Sequence, residues 1–155
     1  MAKTKIYKNW RLFKVKPDTS GAVSMFTNKT GTDYVMYKEG RAPSNAGLLL
    51  QKITIERACG TTTAQLEKAV KGAVVIVKGQ SGQERMLGMA KFICPELNPF
   101  TEEEAYALDT PIYIEPGATY DVVIRWDEKN GLDAQSNETA DIVIRVDGIE
   151  VEPES

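Results

Sequence analysis

The sequence predicts an all-β fold, a single jelly-roll β-sandwich of about eight or nine antiparallel strands with one or two short helices. Strand-like segments recur along most of the 155 residues, and several of them alternate apolar and polar residues with period two. Turn residues separate these segments roughly every 8 to 15 residues, a spacing typical of sandwiches and barrels. A chain of this length forms one domain, so residues 1–155 are predicted to be a single jelly roll.

The alternation is clearest in the last two predicted strands, where Tyr120 and Ile142 each begin a series of apolar residues at every second position. A continuous apolar segment at 73–77 predicts a central strand covered on both faces. The nine predicted strands are Ile6–Val15, Ala22–Thr27, Tyr34–Tyr37, Leu48–Ala58, Ala73–Lys78, Arg85–Ile93, Pro111–Glu115, Thr119–Trp126 and Ala140–Val151.

Helix signals are sparse. Residues Thr63–Val70 have apolar side chains at helical spacing, with Thr63 as the expected N-cap. A second helical turn is expected at Thr101–Tyr106, where Thr101 would cap three glutamates. The loop Gly79–Gly82 predicts a hairpin between two strands, and Asp147-Gly148 predicts a bend in the last strand.

The chain contains no histidine, which excludes Ser-His-Asp and Cys-His catalysis and the common zinc sites. Cys59 and Cys94 are too few for a disulfide framework, and we expect both to be small buried hydrophobic residues. Glu102–Glu104 are consecutive and cannot share one site, while residues 127–133 lack the EF-hand spacing. We therefore expect no enzymatic activity, no catalytic, cofactor or metal site, and no small-molecule substrate.

Charge is distributed unevenly along the chain. Residues 1–58 contain 11 Lys/Arg and 4 Asp/Glu, whereas residues 59–155 contain 8 and 18. Residues 1–16 therefore predict a basic N-terminal arm or an edge strand, which would contact an acidic subunit or nucleic acid, lie solvated on the surface, or pair with the acidic last strand. The candidate interface residues are Lys3, Lys5, Lys8, Arg11, Lys14 and Lys16.

Aromatic residues are concentrated in the same basic part of the chain. They allow two interpretations, a groove that stacks nucleic-acid bases or the ordinary core of a sandwich. The residues concerned are Tyr7, Trp10, Phe13, Tyr34 and Tyr37.

The carboxyl-terminal third contains three segments in a characteristic order: Leu108–Gly117 with Pro111 and Pro116-Gly117, then Tyr120–Trp126, then Ile142–Ile149. This order resembles the closing strands of jelly-roll structural proteins from bacteriophage virions, especially those of tail-less icosahedral phages. Coat proteins of that lineage commonly have two jelly rolls per chain, whereas 155 residues hold one. The resemblance therefore implies a single-barrel vertex (penton) or minor capsid protein.

On that resemblance we expect a structural virion protein, made in the host cytoplasm, that assembles through its side loops and a basic arm. The expected partners are copies of itself and other capsid proteins, with the arm in contact with the genome or a membrane. No apolar stretch suits a signal peptide or a membrane span. The alternative function is a carbohydrate-binding or lectin-like module, which would need surface aromatics such as Trp10 or Trp126.

Overall fold

The computed structural model describes residues 3–17, 21–26, 34–37, 39–58 and 60–152, and within them all nine predicted strands are present. Their bounds are β1 Lys3–Val15, β2 Gly21–Ser24, β3 Tyr34–Val35, β4 Gly47–Arg57, β5 Ala73–Gly79, β6 Glu84–Met89, β7 Ala107–Ile114, β8 Tyr120–Trp126 and β9 Ala140–Glu152. The same described residues include one α-helix, α1, at Thr63–Ala69, and three 3₁₀ helices at Ala90–Ile93, Pro95–Leu97 and Glu103–Tyr106.

The strands form two antiparallel sheets, β3-β1-β9-β4-β7 and β2-β8-β5-β6. Apart from the short β3, each strand from the first half of the chain pairs with a strand from the second half: β1 with β9, β2 with β8, β4 with β7, and β5 with β6. Rolling these four pairs together brings β9 beside β4 and β8 beside β5. This order is the jelly roll, so the predicted fold class is confirmed.

The core lies between the two sheets, because period-two alternation turns one face of each strand inward. Tyr120, Val122, Ile124 and Trp126 of β8 are buried there, as are Ile142, Ile144 and Val146 of β9. The segment 73–77 lies between β8 and β6, and Val75 and Ile76, on opposite faces, are both buried. The predicted alternation and the predicted central strand are therefore confirmed.

Helix α1 lies between β4 and β5 in the chain, with Leu66 and Ala69 buried. Its N-cap is Thr62 rather than the predicted Thr63. The Thr62 Oγ1 accepts from the Gln65 amide at 3.2 Å, and the Gln65 side chain accepts from the Thr62 amide at 2.9 Å. The physical reason is this reciprocal capping box, which needs Gln at the third helical position. The Trp126 indole donates to the Ala69 carbonyl at 2.9 Å and ties the helix to the core.

The segment 84–115 departs most from the predicted boundaries. Strand β6 ends at Met89, because Ala90–Ile93 form a 3₁₀ turn that buries Ala90 and Cys94. The turn at Glu103–Tyr106 has Glu102 as its N-cap and no side-chain cap, so the predicted capping by Thr101 is wrong. Strand β7 begins at Ala107, and Pro111 lies within it. That strand is a sheet edge, where the missing proline N–H disrupts no ladder.

Candidate interaction surfaces

The first strand and the last strand bring the basic and acidic ends of the chain together. Three lysines of β1 lie directly opposite acidic residues of β9, in the pairs Lys5–Glu150, Lys8–Asp147 and Lys14–Asp141, and the backbone of Lys3 pairs with that of Glu152. The Lys14 Nζ lies 3.8 Å from the Asp141 Oδ1. Because opposite charges across an antiparallel pair are stabilising, the uneven charge of the chain stabilises its own β1–β9 pair. The segment predicted as an arm or an edge strand is a strand from Lys3 onward.

Arg11 differs from the other predicted interface residues, because only 1% of its surface is exposed. It has the inward parity of β1, like Asn9 and Phe13, and its guanidinium donates to the Ser24 carbonyl on β2. The guanidinium carbon also lies 5.4 Å from the centre of the Phe13 ring. Arg11 therefore joins the two sheets, and its assignment to a contact surface is wrong because strand parity turns it inward.

The side chains of Lys5, Lys8, Lys14 and Lys16 are exposed, whereas that of Lys3 lies outside the described part of the structure. Lys8 and Lys14 lie on the outer face of the five-stranded sheet, beside their β9 partners. Contact of these residues with another molecule stays a prediction.

The described aromatic side chains of the basic region do not form one groove. Tyr7 and Phe13 are buried in the core, Trp10 is half-buried on the outer face, and Tyr37 is exposed. The Tyr34 side chain lies outside the described part of the chain. The core interpretation is therefore correct for the two inward residues, Tyr7 and Phe13.

A polar cluster links the two sheets at Tyr7. The Tyr7 hydroxyl lies 2.7 Å from the Tyr120 hydroxyl, and the Asn9 Nδ2 donates to the Tyr7 hydroxyl at 3.1 Å. The Tyr7 ring stacks on Tyr37 with centroids 6.0 Å apart, and Phe26 meets Tyr120 edge-on at 5.3 Å. Burial raises the pKa of both Tyr7 and Tyr120 above the ordinary tyrosine value. Both phenols therefore stay neutral and act as structural hydrogen-bonding groups.

An apolar row crosses the outer face of the five-stranded sheet. Ile6 lies opposite Ile149, Ile149 opposite Leu49, and Leu49 opposite Tyr113. Ile6 is 80% exposed and Tyr113 is 54% exposed. We call this set of four residues the outer apolar row. Such a row of large apolar side chains on a surface is typical of a contact region.

Further exposed apolar residues lie elsewhere on the sandwich. Met86 and Met89 share the outer face of the four-stranded sheet with the buried Ile76. Phe92 and Phe100 lie in the connection between β6 and β7, and Phe100 is fully exposed. No pattern in the sequence predicted that these side chains would be exposed together. The available signal was that Phe100 follows Pro99 in a segment without strand or helix periodicity.

A groove of about 680 Å³ lies between the β5–β6 hairpin and the turn that joins β7 to β8. The predicted hairpin at Gly79–Gly82 is confirmed by bonds from the Gly79 amide to the Gln83 carbonyl and from the Gly82 amide to the Gly79 carbonyl. The Gln80 side chain accepts from the Thr119 amide at 3.0 Å and so closes one side of the groove. Tyr113 lies on the groove wall.

Cys94 and the loop 127–133, both considered as chemical sites, make structural contacts. Cys94 is fully buried, its thiol donates to the Ala90 carbonyl at 3.3 Å, and burial raises its pKa to about 12. Its predicted role as a buried hydrophobic residue is confirmed, whereas Cys59 lies outside the described residues. In residues 127–133, the Asn130 amide donates to the Lys16 carbonyl at 2.8 Å and accepts from Leu132. Among the described side chains, no three His, Cys, Asp or Glu converge as a metal site would require.

Comparison with known protein families and with curated proteins finds no match for this sequence. Within the described ranges, no helix is long and apolar enough to cross a membrane.

Proposed function

We propose that this protein is a structural subunit of a bacteriophage virion, a capsid protein that acts by assembly rather than by catalysis. The observation that carries the proposal is the distribution of exposed apolar side chains over separate sides of a jelly-roll sandwich. Jelly rolls are used in viral capsids and in lectins, so the fold leaves both classes open. The resemblance of the closing strands to those of phage structural proteins favours the first.

The distribution of these side chains favours a shell subunit over a ligand-binding module. A subunit within a shell contacts neighbours on several sides, whereas a ligand-binding module needs one concave site. Exposed apolar residues lie on both outer sheet faces and on the β6–β7 connection: Ile6, Tyr113, Met86, Met89, Phe92 and Phe100. Several separate surfaces of this kind support contacts with several protein neighbours.

On this proposal the subunit is a single-barrel vertex or minor capsid protein whose partners are copies of itself and other capsid proteins. The pairing of the β1 lysines with β9 carboxylates moves the expected contacts from an arm to the loops and the sheet surfaces. The exposed lysines Lys5, Lys8, Lys14 and Lys16 would supply any contact with the genome or a membrane. The protein would be made in the host cytoplasm and would act in the virion.

The alternative is a carbohydrate-binding module, and its best surface is the groove beside Tyr113. An exposed aromatic ring with the polar side chains of Gln80 and Gln83 nearby suits a sugar ring and its hydroxyls. Trp126 cannot supply such a platform because it is buried, and Trp10 is half-buried. At this groove the alternative therefore depends on Tyr113.

Light scattering at increasing protein concentration, with and without about 0.5 M salt, tests the proposal. We expect particles of more than two copies that persist in salt, because apolar contacts are not screened, and that are lost in the double variant Phe92→Ser/Phe100→Ser. Gln135→Ser, an exposed loop substitution far from these phenylalanines in sequence, is the matched control and should leave the mass unchanged. A mass that never exceeds two copies, with glycan binding lost in Tyr113→Ala, would favour the alternative.

A further inference from the structure

The open edge of β1 is a further candidate contact. Among the described residues, strand β3 pairs with β1 at Arg11 and Leu12, and the Met36 amide adds a bond to the Trp10 carbonyl at 3.1 Å. The Asn9 Oδ1 then accepts from the Trp10 amide at 2.9 Å and from the Tyr37 amide at 3.2 Å. The Asn9 side chain therefore ends the part of this edge that described residues cover.

Beyond Asn9, three residues of β1 have backbone groups that point away from β9. In an antiparallel sheet the N–H and C=O of one residue point to the same side, and successive residues alternate. Trp10 faces β3, so Lys8, Ile6 and Thr4 face the same open side. No described residue pairs with these six backbone groups. An exposed strand edge of this kind is a template for another strand.

We propose that a second copy of this chain pairs with this edge, antiparallel, with Ile6 of each copy opposite Ile6 of the other. In this register Thr4 lies opposite Lys8 of the second copy, so all six outward groups on each strand find partners. A shift of two residues in one direction places Thr4 opposite Trp10, whose groups are already bonded. The opposite shift places Lys8 beyond the start of β1 in the other copy. The centred register is therefore the one that satisfies both edges.

Side chains agree with this register. The two copies of Ile6 meet on the outer face, which joins the two outer apolar rows into one continuous band across the two-fold axis. No lysine faces a lysine, because Lys5 lies opposite Tyr7 and Lys8 lies opposite Thr4. The carboxylates of β9 beside Lys5 and Lys8 lower the repulsion between the copies. This contact does not depend on the proposed capsid function.

Cysteine cross-linking tests the register. A directly opposed pair in a hydrogen-bonded position has Cα atoms about 5.5 Å apart, which suits a disulfide. We expect Ile6→Cys to form a disulfide-linked dimer under mild oxidation. Thr4→Cys alone should not, since it lies opposite Lys8, but Thr4→Cys/Lys8→Cys should. The parent protein, treated identically, controls for its own cysteines. Equal cross-linking of Ile6→Cys and Thr4→Cys, or none by Ile6→Cys, would overturn the proposal.

A backbone substitution tests the hydrogen bonds themselves. Ile6→Pro removes an N–H that β9 does not use, so the fold should be retained. We expect it to weaken the dimer measured by sedimentation by about tenfold or more, from two lost hydrogen bonds. Ile6→Thr keeps the N–H and should weaken the dimer less than Ile6→Pro does. The unfolding transition of each variant verifies that it folds. Lysines also protect sheet edges from pairing; if they do so here, the parent protein sediments without a dimer and the proposal is wrong.

Discussion

The hydroxyl groups of Tyr7 and Tyr120 lie 2.7 Å apart, although 113 positions separate the two residues in the chain. Tyr7 belongs to β1 of the five-stranded sheet and Tyr120 to β8 of the four-stranded sheet, so their hydrogen bond crosses the core. The Asn9 amide completes the cluster by donating to Tyr7. The position of β1 against the second sheet is therefore fixed by polar as well as apolar contacts.

The first prediction concerns this cluster. Tyr120→Phe should lower the free energy of unfolding by about 1 kcal/mol, since Tyr7 keeps its bond from Asn9. Tyr7→Phe should cost about 2 kcal/mol, because it leaves both Asn9 and Tyr120 without this partner. The control is Tyr113→Phe, at an exposed position, with a loss below about 0.5 kcal/mol. Chemical denaturation measures all three. Equal losses for Tyr7→Phe and Tyr120→Phe would contradict the arrangement.

The second prediction concerns alkaline pH. Burial raises the pKa of Tyr120 above that of a tyrosine in the unfolded chain, and raises that of Cys94 to about 12. The folded state therefore keeps protons that the unfolded state loses, so stability is complete below about pH 8 and falls as the pH rises further. Denaturation curves between pH 7 and 11 measure this fall. Cys94→Ala should make it shallower, and an unchanged slope would show that this thiol does not contribute.

The third prediction separates Arg11 from the lysines of the same strand. Arg11→Ala should lower the free energy of unfolding by about 2–3 kcal/mol, because it removes a buried, charge-assisted hydrogen bond to Ser24. Lys14→Ala, at an exposed position with an ion-pair distance of 3.8 Å, should change it by less than about 1 kcal/mol. Thermal or urea unfolding measures the loss of unfolding free energy in each variant. Similar small effects would mean that Arg11 is not an inter-sheet tie.

How far the sequence predicts this molecule depends on the range of the interactions. Alternation at Tyr120 and Ile142 is local, so it identified the strands and their inward faces. The pairing of β1 with β9 joins the two ends of the chain, and the sequence left it as one of several alternatives. Arg11 was assigned by its charge, although its parity within β1 placed it inward. The open edge at Ile6 depends on how short β3 is, which no local pattern reports.

The fourth prediction tests the charge pairing of β1 with β9. Lys8→Glu and Asp147→Lys should each destabilise the protein, because each places like charges opposite one another. The double variant restores opposite charges, so its loss of unfolding free energy should be smaller than the sum of the two single losses by about 0.2–1 kcal/mol. This coupling should shrink in about 0.5 M salt. A double-mutant cycle by urea unfolding at both salt concentrations measures it. Additive effects would show that the two side chains do not interact.

The fifth prediction concerns Gly148, which continues β9 opposite the bulge of β4 at Leu50–Lys52. A Cβ atom at Gly148 would lie 2.2 Å from the Leu49 carbonyl oxygen, so β4 would have to move. Gly148→Ala should therefore cost about 1–3 kcal/mol, the range for overpacked sites. Gly79→Ala is the matched control. It also replaces a strand glycine by alanine, so the change in β-propensity is the same, but a Cβ atom there has open space. Comparable unfolding free energies for the two variants would mean that β4 and β9 are not this close.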